Sequence, residues 1–390
     1  MNTLGCMFDG SQSSLDNKTL IDWLRLIRTE NVGPVTFRNL LQHYGSAANA
    51  LDALPELAKR GGRKRPIRIC NKAQAERELS ALQTRGITAL ALGTAGYPPA
   101  LAAIDDAPPL LFARGHPALL ERPTVAVVGA RNASANGRKI ARELGAELSR
   151  SGYLVVSGMA RGIDGAAHDG ALTGGTAAVL AGGVDVVFPP EHESLYEQIG
   201  NQGVVLAENP LGTVPQGRHF PRRNRIISGL AQGVVVVEAA IQSGSLITAQ
   251  LGGEQGRDVM AVPGNPKDGR AAGCNKLLKQ GAVLVEKTED VVQALKDCTP
   301  PGPAERDTAD FSGSRDVPDG ALAPDATTLA EAQAAIVELM GFAPVPVDEL
   351  IRECQFSPSI VTTVVLELEL AGRCERHPGN RVALTEPDAA

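Results

Sequence analysis

The chain has 390 residues, 43% of them hydrophobic and 21% charged, with a formal net charge of −6, which suits two or three globular domains and excludes a uniformly basic nucleic-acid coat while leaving room for a local basic patch. Aromatic residues are only 3%, with a single Trp, so the core must rest on Ala, Val, Leu and Ile, and stacking of bases on many aromatics is excluded. Six scattered cysteines form no CxxC pair, which argues against a zinc site or disulfide framework, and with no leader-like or membrane-length apolar run a cytoplasmic protein without membrane contact is predicted.

Structure is predicted to begin near Thr19, after a polar end. Apolar residues then fall at helical spacing (Leu20, Trp23, Leu24, Leu26, Ile27; Phe37, Leu40, Leu41) on either side of Asn31-Val32-Gly33-Pro34, a helix stop and restart. Residues 19–84 are read as a helical domain resembling SAM/HhH-like (sterile-alpha-motif or helix-hairpin-helix) modules, in which such a glycine turn is either a phosphate contact or only a turn. Residues 85–298 form the next domain. From Pro108 to Glu286 short Val/Ala/Leu runs alternate with helix-period segments, and seven strands are predicted: Thr124–Val128, Tyr153–Ser157, Thr176–Ala181, Val204–Ala207, Val234–Glu238, Val259–Val262 and Val283–Glu286. This is an α/β fold, an extended Rossmann-like parallel sheet, whose ligands are expected beyond the carboxyl ends of the strands. A Pro/Asp/Gly/Ser-rich flexible linker is predicted over 299–325, and a winged helix over 326–386, with helices near Ala330–Met340, Val347–Cys354 and Ser359–Ala371 and a hairpin turning at Gly379-Asn380. Glu367 and Glu369 in its third helix favour a packing or protein-interaction module over a duplex reader.

Three motifs carry chemistry. Gly129-Ala130-Arg131 ends the first predicted strand, where a glycine turn, a helix amino terminus and an arginine together suit phosphate. Ser157-Gly158-Met159-Ala160-Arg161-Gly162-Ile163-Asp164 ends the second. Asp164 and His168 lie one helical turn apart there, and with no nucleophile nearby in sequence they read as structural rather than as a catalytic dyad. Arg218 to Leu230 places Arg218, Arg222, Arg223 and Arg225 within eight residues, with Phe220 and Asn224 among them and no acidic residue. A concentrated cationic patch with one stacking ring suits single strands, whose bases are exposed.

These motifs, with Ser243-Gly244-Ser245 through Ala249 and Pro263-Gly264 leading to Gly273–Ala282, resemble the DprA/Smf family in order across the whole sheet domain. The resemblance implies a non-catalytic homodimer that binds and protects single-stranded DNA and helps load the RecA recombinase in natural transformation, without cofactor or metal. It implies DNA contacts from Gly129, Arg131, Ser157, Gly158, Arg161, Gly162, Arg218, Phe220, Arg222, Arg223, Asn224, Arg225 and Ser245, and pairing of subunits through Leu277, Leu278 and Leu284. Two departures stand out: Gly-Ala-Arg replaces the usual Gly-Ser-Arg, and the loop Phe188–Glu193 is acidic. Competing readings are a nucleoside-monophosphate phosphoribohydrolase, whose glutamate does not follow Gln242–Thr248 at the right spacing, a dinucleotide oxidoreductase, whose full G-x-G-x-x-G is missing, and a scaffold without DNA affinity, which the arginine cluster opposes.

Overall fold

The computed structural model describes residues 15–297, 326–377 and 379–385; the linker expected over 299–325 lies outside them. The chain opens with α1 (Asn17–Ile27), α2 (Pro34–Tyr44), α3 (Ala47–Arg60) and α4 (Lys72–Thr84). Pro34 occupies the first turn of α2, where its missing N–H leaves nothing unsatisfied, and Gly45, at φ 73°, ends the helix. Trp23 and Phe37 meet edge to face, ring centroids 4.9 Å apart.

The sheet domain runs β1 (Thr88–Ala91), α5 (Pro99–Ala102), β2 (Leu110–Gly115), β3 (Thr124–Gly129), α6 (Ala135–Arg150), β4 (Leu154–Ser157), α7 (Ile163–Ala171), β5 (Thr176–Val179), α8 (Glu193–Gln202), β6 (Val204–Ala207), α9 (His219–Leu230), β7 (Gly233–Val237), α10 (Gly244–Glu254), β8 (Asp258–Ala261), α11 (Ala272–Lys279), β9 (Val283–Leu284) and α12 (Thr288–Asp297). Its strand order is β1-β2-β6-β5-β4-β3-β7-β8-β9. The seven strands expected from sequence are β3 to β9, and they pair in parallel. The expectation of an all-parallel sheet needs correcting, because β1 and β2 extend it antiparallel beside β6 and make it mixed. Strands β3 and β7 are Val runs buried along nearly their whole length; only a strand covered on both faces can dispense with polar alternation. Leu144 and Leu148 of α6 and Ile163, Ala166 and Ala167 of α7 cover them on one side.

Beyond the sheet come α13 (Ala326–Leu339), β10 (Val345–Pro346), α14 (Val347–Glu353), α15 (Pro358–Ala371), β11 (Cys374–His377) and β12 (Arg381–Leu384), with strand order β10-β12-β11. This is the expected winged helix, closed around Ile336, Leu350, Val361, Val364, Val365, Leu368 and Val382. The chain divides into two compact units: one holds the sheet domain from Glu76 onward, and the other joins Ile21–Ala75 to the C-terminal elements. The first and last domains, expected as separate bodies, fall within the same one of these two units. Among the described residues no helix is long and apolar enough to cross a membrane.

Candidate nucleic-acid interface

Strand β3 neighbours β7, so the chain's direction of travel across the sheet reverses between them, and the crevice at their carboxyl ends is where such folds take ligands. The amino end of α6 opens into that crevice, yet it is not free. Ser134 caps it by accepting from the Gly137 amide at 2.9 Å, and the Glu238 carboxylate accepts from the Ser134 amide at 2.8 Å and from its hydroxyl. A Cβ on Gly137 would lie 2.4 Å from the Glu238 carboxyl carbon. The phosphate cradle expected at this turn is thus filled by the protein's own anion, which also satisfies the positive end of the helix. What the turn presents outward is Arg131, exposed, its guanidinium 4.9 Å from the Phe220 ring centroid.

The second motif mostly faces inward. Ser157 is fully buried and donates to the Val127 carbonyl at 2.6 Å. Asp164 accepts from the Gly158 and Ala160 amides at 3.2 and 3.3 Å, so the N–H of Gly158, one of the expected DNA contacts, is engaged within the protein. Gly162 sits at φ 81° with Ala130 carbonyl oxygen 2.2 Å from where a Cβ would be, so only glycine fits the turn. Gly129 is packed as closely, against Val237 and Ile163. His168 is fully buried; Thr176 donates to Val155 and so accepts from His168 Nδ1, 2.8 Å away. Burial first, then the nearby charges of His192 and Arg223, lower the His168 pKa to about 3, so the ring is neutral. Only Arg161 of this motif projects outward as a charge, and it faces Glu191 of the acidic loop at 3.6 Å.

The arginine cluster on α9 divides in two. Arg218 and Arg222 are exposed, and after burial itself their charges are what lower the pKa of His219. Arg223, Asn224 and Arg225 are buried and committed to the fold, which corrects their assignment to a DNA surface. Arg223 donates to the Val179 carbonyl at the end of β5 and lies against Gly158. Burial lowers its pKa to about 10 against the pull of Asp164, and burial likewise raises the pKa of Asp164 against the pull of Arg223. Arg225 binds both oxygens of Glu208 and the Asp106 carbonyl, while Asn224 donates to Gly244 at 3.4 Å. Ser245 is buried too, its hydroxyl 2.7 Å from that of Ser243 at the start of α10. For Arg223 the sequence held a signal, since with Ile226, Ile227 and Leu230 it follows the i, i+3, i+4, i+7 spacing of one apolar face; Asn224 and Arg225 lie off that spacing.

The outward set is therefore Arg131, Arg161, Arg218, Arg222 and Phe220, joined by a ring the motif reading passed over. Phe188, 44% exposed, lies with its ring centroid 5.7 Å from that of Phe220. Two aromatic faces with a guanidinium over one of them can hold unpaired bases and the phosphate between them. Elsewhere, Leu277 and Leu278 are half-buried on α11, and Leu284 on β9 is exposed beside Val283. Leu277 also lines a shallow groove with Leu246, Val259 and Ala282.

Sequence models of the DNA recombination-mediator protein A family, the DprA-like N-terminal HHH domain and the DprA winged helix domain match residues 88–296, 17–81 and 320–380. Protein Smf of Escherichia coli strain K12 is 38% identical over 292 residues, 74% of this chain and 75% of its own length. DNA processing protein DprA of Bacillus subtilis strain 168 is 42% identical over 222 residues, 56% of this chain and 75% of its own. The X-ray structure of DNA processing protein A from Streptococcus pneumoniae superposes with a TM-score of 0.60 at 35% identity, covering 72% of this chain and 98% of that one. A solved structure of DNA processing protein A from Helicobacter pylori, described for its single-stranded DNA binding mode, gives a TM-score of 0.50 at 26% identity, covering 54% of this chain and 96% of that one. With the sheet domain and both flanking domains matched in order, the chain belongs to the DNA recombination-mediator protein A family, the DprA/Smf proteins.

Proposed function

We propose that this protein binds single-stranded DNA, without catalytic turnover, over the outward surface formed by Arg131, Phe220, Phe188, Arg218 and Arg222. The observation that carries the reading is the exposed Arg131 guanidinium over the Phe220 ring, with Phe188 beside it. A cation can follow the backbone while the rings take bases, and only a single strand offers unpaired bases to them. The single-stranded DNA binding of the Helicobacter pylori relative supports the same choice. In the cell the protein would act in the cytoplasm as a homodimer that protects incoming strands and helps load the RecA recombinase in transformation and recombination; membership of a recombination-mediator family supports that role.

Gel shifts with one sequence as a single strand and as a duplex, each at low and high salt, test the reading. The single strand should bind more tightly, and its affinity should fall as salt rises. Preference for the duplex, or affinity indifferent to salt, overturns it.

A further inference from the structure

The third helix of a winged helix is the element such domains lay in the DNA major groove, so what covers its outer face decides what the domain can do. Ser357 caps α15, and Gly372, at φ 73°, ends it. Its inner stripe, Val361, Val364, Val365 and Leu368, fills the core of its own domain. That accounts for one face only, yet every residue from Val364 to Leu370 is buried, including Leu366, Glu367, Glu369 and Leu370.

The outer face is covered by the other end of the same chain, α2 and α3. Glu367 meets Arg60 at 3.0 Å, a charge contact whose angle is too poor for a hydrogen bond. Asn31 donates to the Leu370 carbonyl at 3.2 Å, Arg373 to the Gly61 carbonyl at 3.4 Å, and Gln333 to the Arg60 carbonyl at 3.2 Å. Glu369 is held by Arg376 at 2.7 Å, with the Thr36 hydroxyl 3.5 Å away. The approach is close enough that a Cβ on Gly61 would lie 2.0 Å from the Glu367 carbonyl oxygen.

We propose that Ile21–Ala75 and the C-terminal winged helix fold as one cooperative unit with α15 as its shared centre, and that the recognition face of the winged helix is thereby closed to duplex DNA. The acidic charges on the covered face agree, since Glu367 and Glu369 suit arginine partners and repel phosphate. The partner of this helix is the amino-terminal part of its own chain.

Hydrogen exchange on the full-length protein tests this with two substitutions that enter from opposite ends. Glu367→Lys sets like charges face to face with Arg60, and Gly61→Val forces bulk between the helices without touching the winged-helix core. Each should speed exchange about tenfold or more in both α3 and α15 while leaving β3 and β7 unchanged, because elements of one cooperative unit open together. Adding Arg60→Glu to Glu367→Lys should restore protection in both. If Gly61→Val loosens α3 and leaves α15 protected, the two ends fold independently and the proposal fails. Protection of α15 gained when duplex DNA is added to the unsubstituted protein would also overturn it.

Discussion

Residue by residue, this protein spends much of its polar chemistry internally. Arg223 is the clearest case, because its cluster reads as DNA-facing and its guanidinium is instead buried beside Asp164 and the end of β5. Removing the guanidinium leaves the buried Val179 carbonyl without its donor and the Asp164 carboxyl without a nearby cation, and a buried polar group left unsatisfied costs about 1–3 kcal/mol. Arg223→Ala should therefore lower the urea midpoint strongly, while Arg131→Ala, whose side chain is exposed, should leave it in place. Equal midpoints would show that Arg223 is not committed to the fold. His168 gives a pH signature. Its pKa is about 3 when folded, against 6.5 for an ordinary imidazole. The group thus supports the fold fully above about pH 6.5 and withdraws that support as pH falls toward 3, by up to about 1.4 kcal/mol per pH unit. Urea unfolding at pH 7 and pH 5 should show the wild type losing more stability than His168→Gln; parallel losses would mean that another group governs the acid limb.

At the scale of elements, α11 and β9 carry the proposed pairing of subunits. Strand β9 ends the sheet with Val283 and Leu284 exposed at 39% and 47%, and an apolar sheet edge left open is an invitation to association. If the protein pairs as proposed, light scattering should report a dimer for the wild type and a monomer with weaker DNA binding for Leu284→Asp; a dimer that survives the charge assigns the interface elsewhere, and a monomeric wild type overturns the pairing. The seven parallel strands were legible because strands buried on both faces must read as uninterrupted apolar runs, as Val234–Val237 does. The antiparallel β1 and β2 were not: Thr88–Ala91 is open to solvent at its start and buried only at Leu90 and Ala91, and Leu110–Gly115 follows two prolines that mask its start. Motif positions placed the carboxyl edge of the sheet correctly, but not which side chains turn toward solvent. The carboxylate of Glu238 at the head of α6 comes from the residue just past β7, more than a hundred residues away, a long-range contact that no local pattern announces. Phe188 was passed over for the same reason, since it meets Phe220 only through the fold.

On the scale of the whole molecule, a net charge of −6 means that DNA affinity must come from a small exposed surface, and inward-turned arginines make it smaller than the sequence suggests. Arg131 and Phe220 then carry separable parts of the binding. Each phosphate contact made by a cation on a single strand contributes roughly 0.7 to the slope of log affinity against log salt, whereas a stacked base contributes about 1–3 kcal/mol. The most direct measurement is fluorescence anisotropy with a labelled single strand across a salt series, for the wild type, Arg131→Ala and Phe220→Ala. Arg131→Ala should weaken binding and flatten the slope by about 0.7 for one lost contact, and Phe220→Ala should weaken it by about 1–3 kcal/mol with the slope unchanged. Wild-type affinity and slope in both variants would contradict the assignment of this surface to DNA.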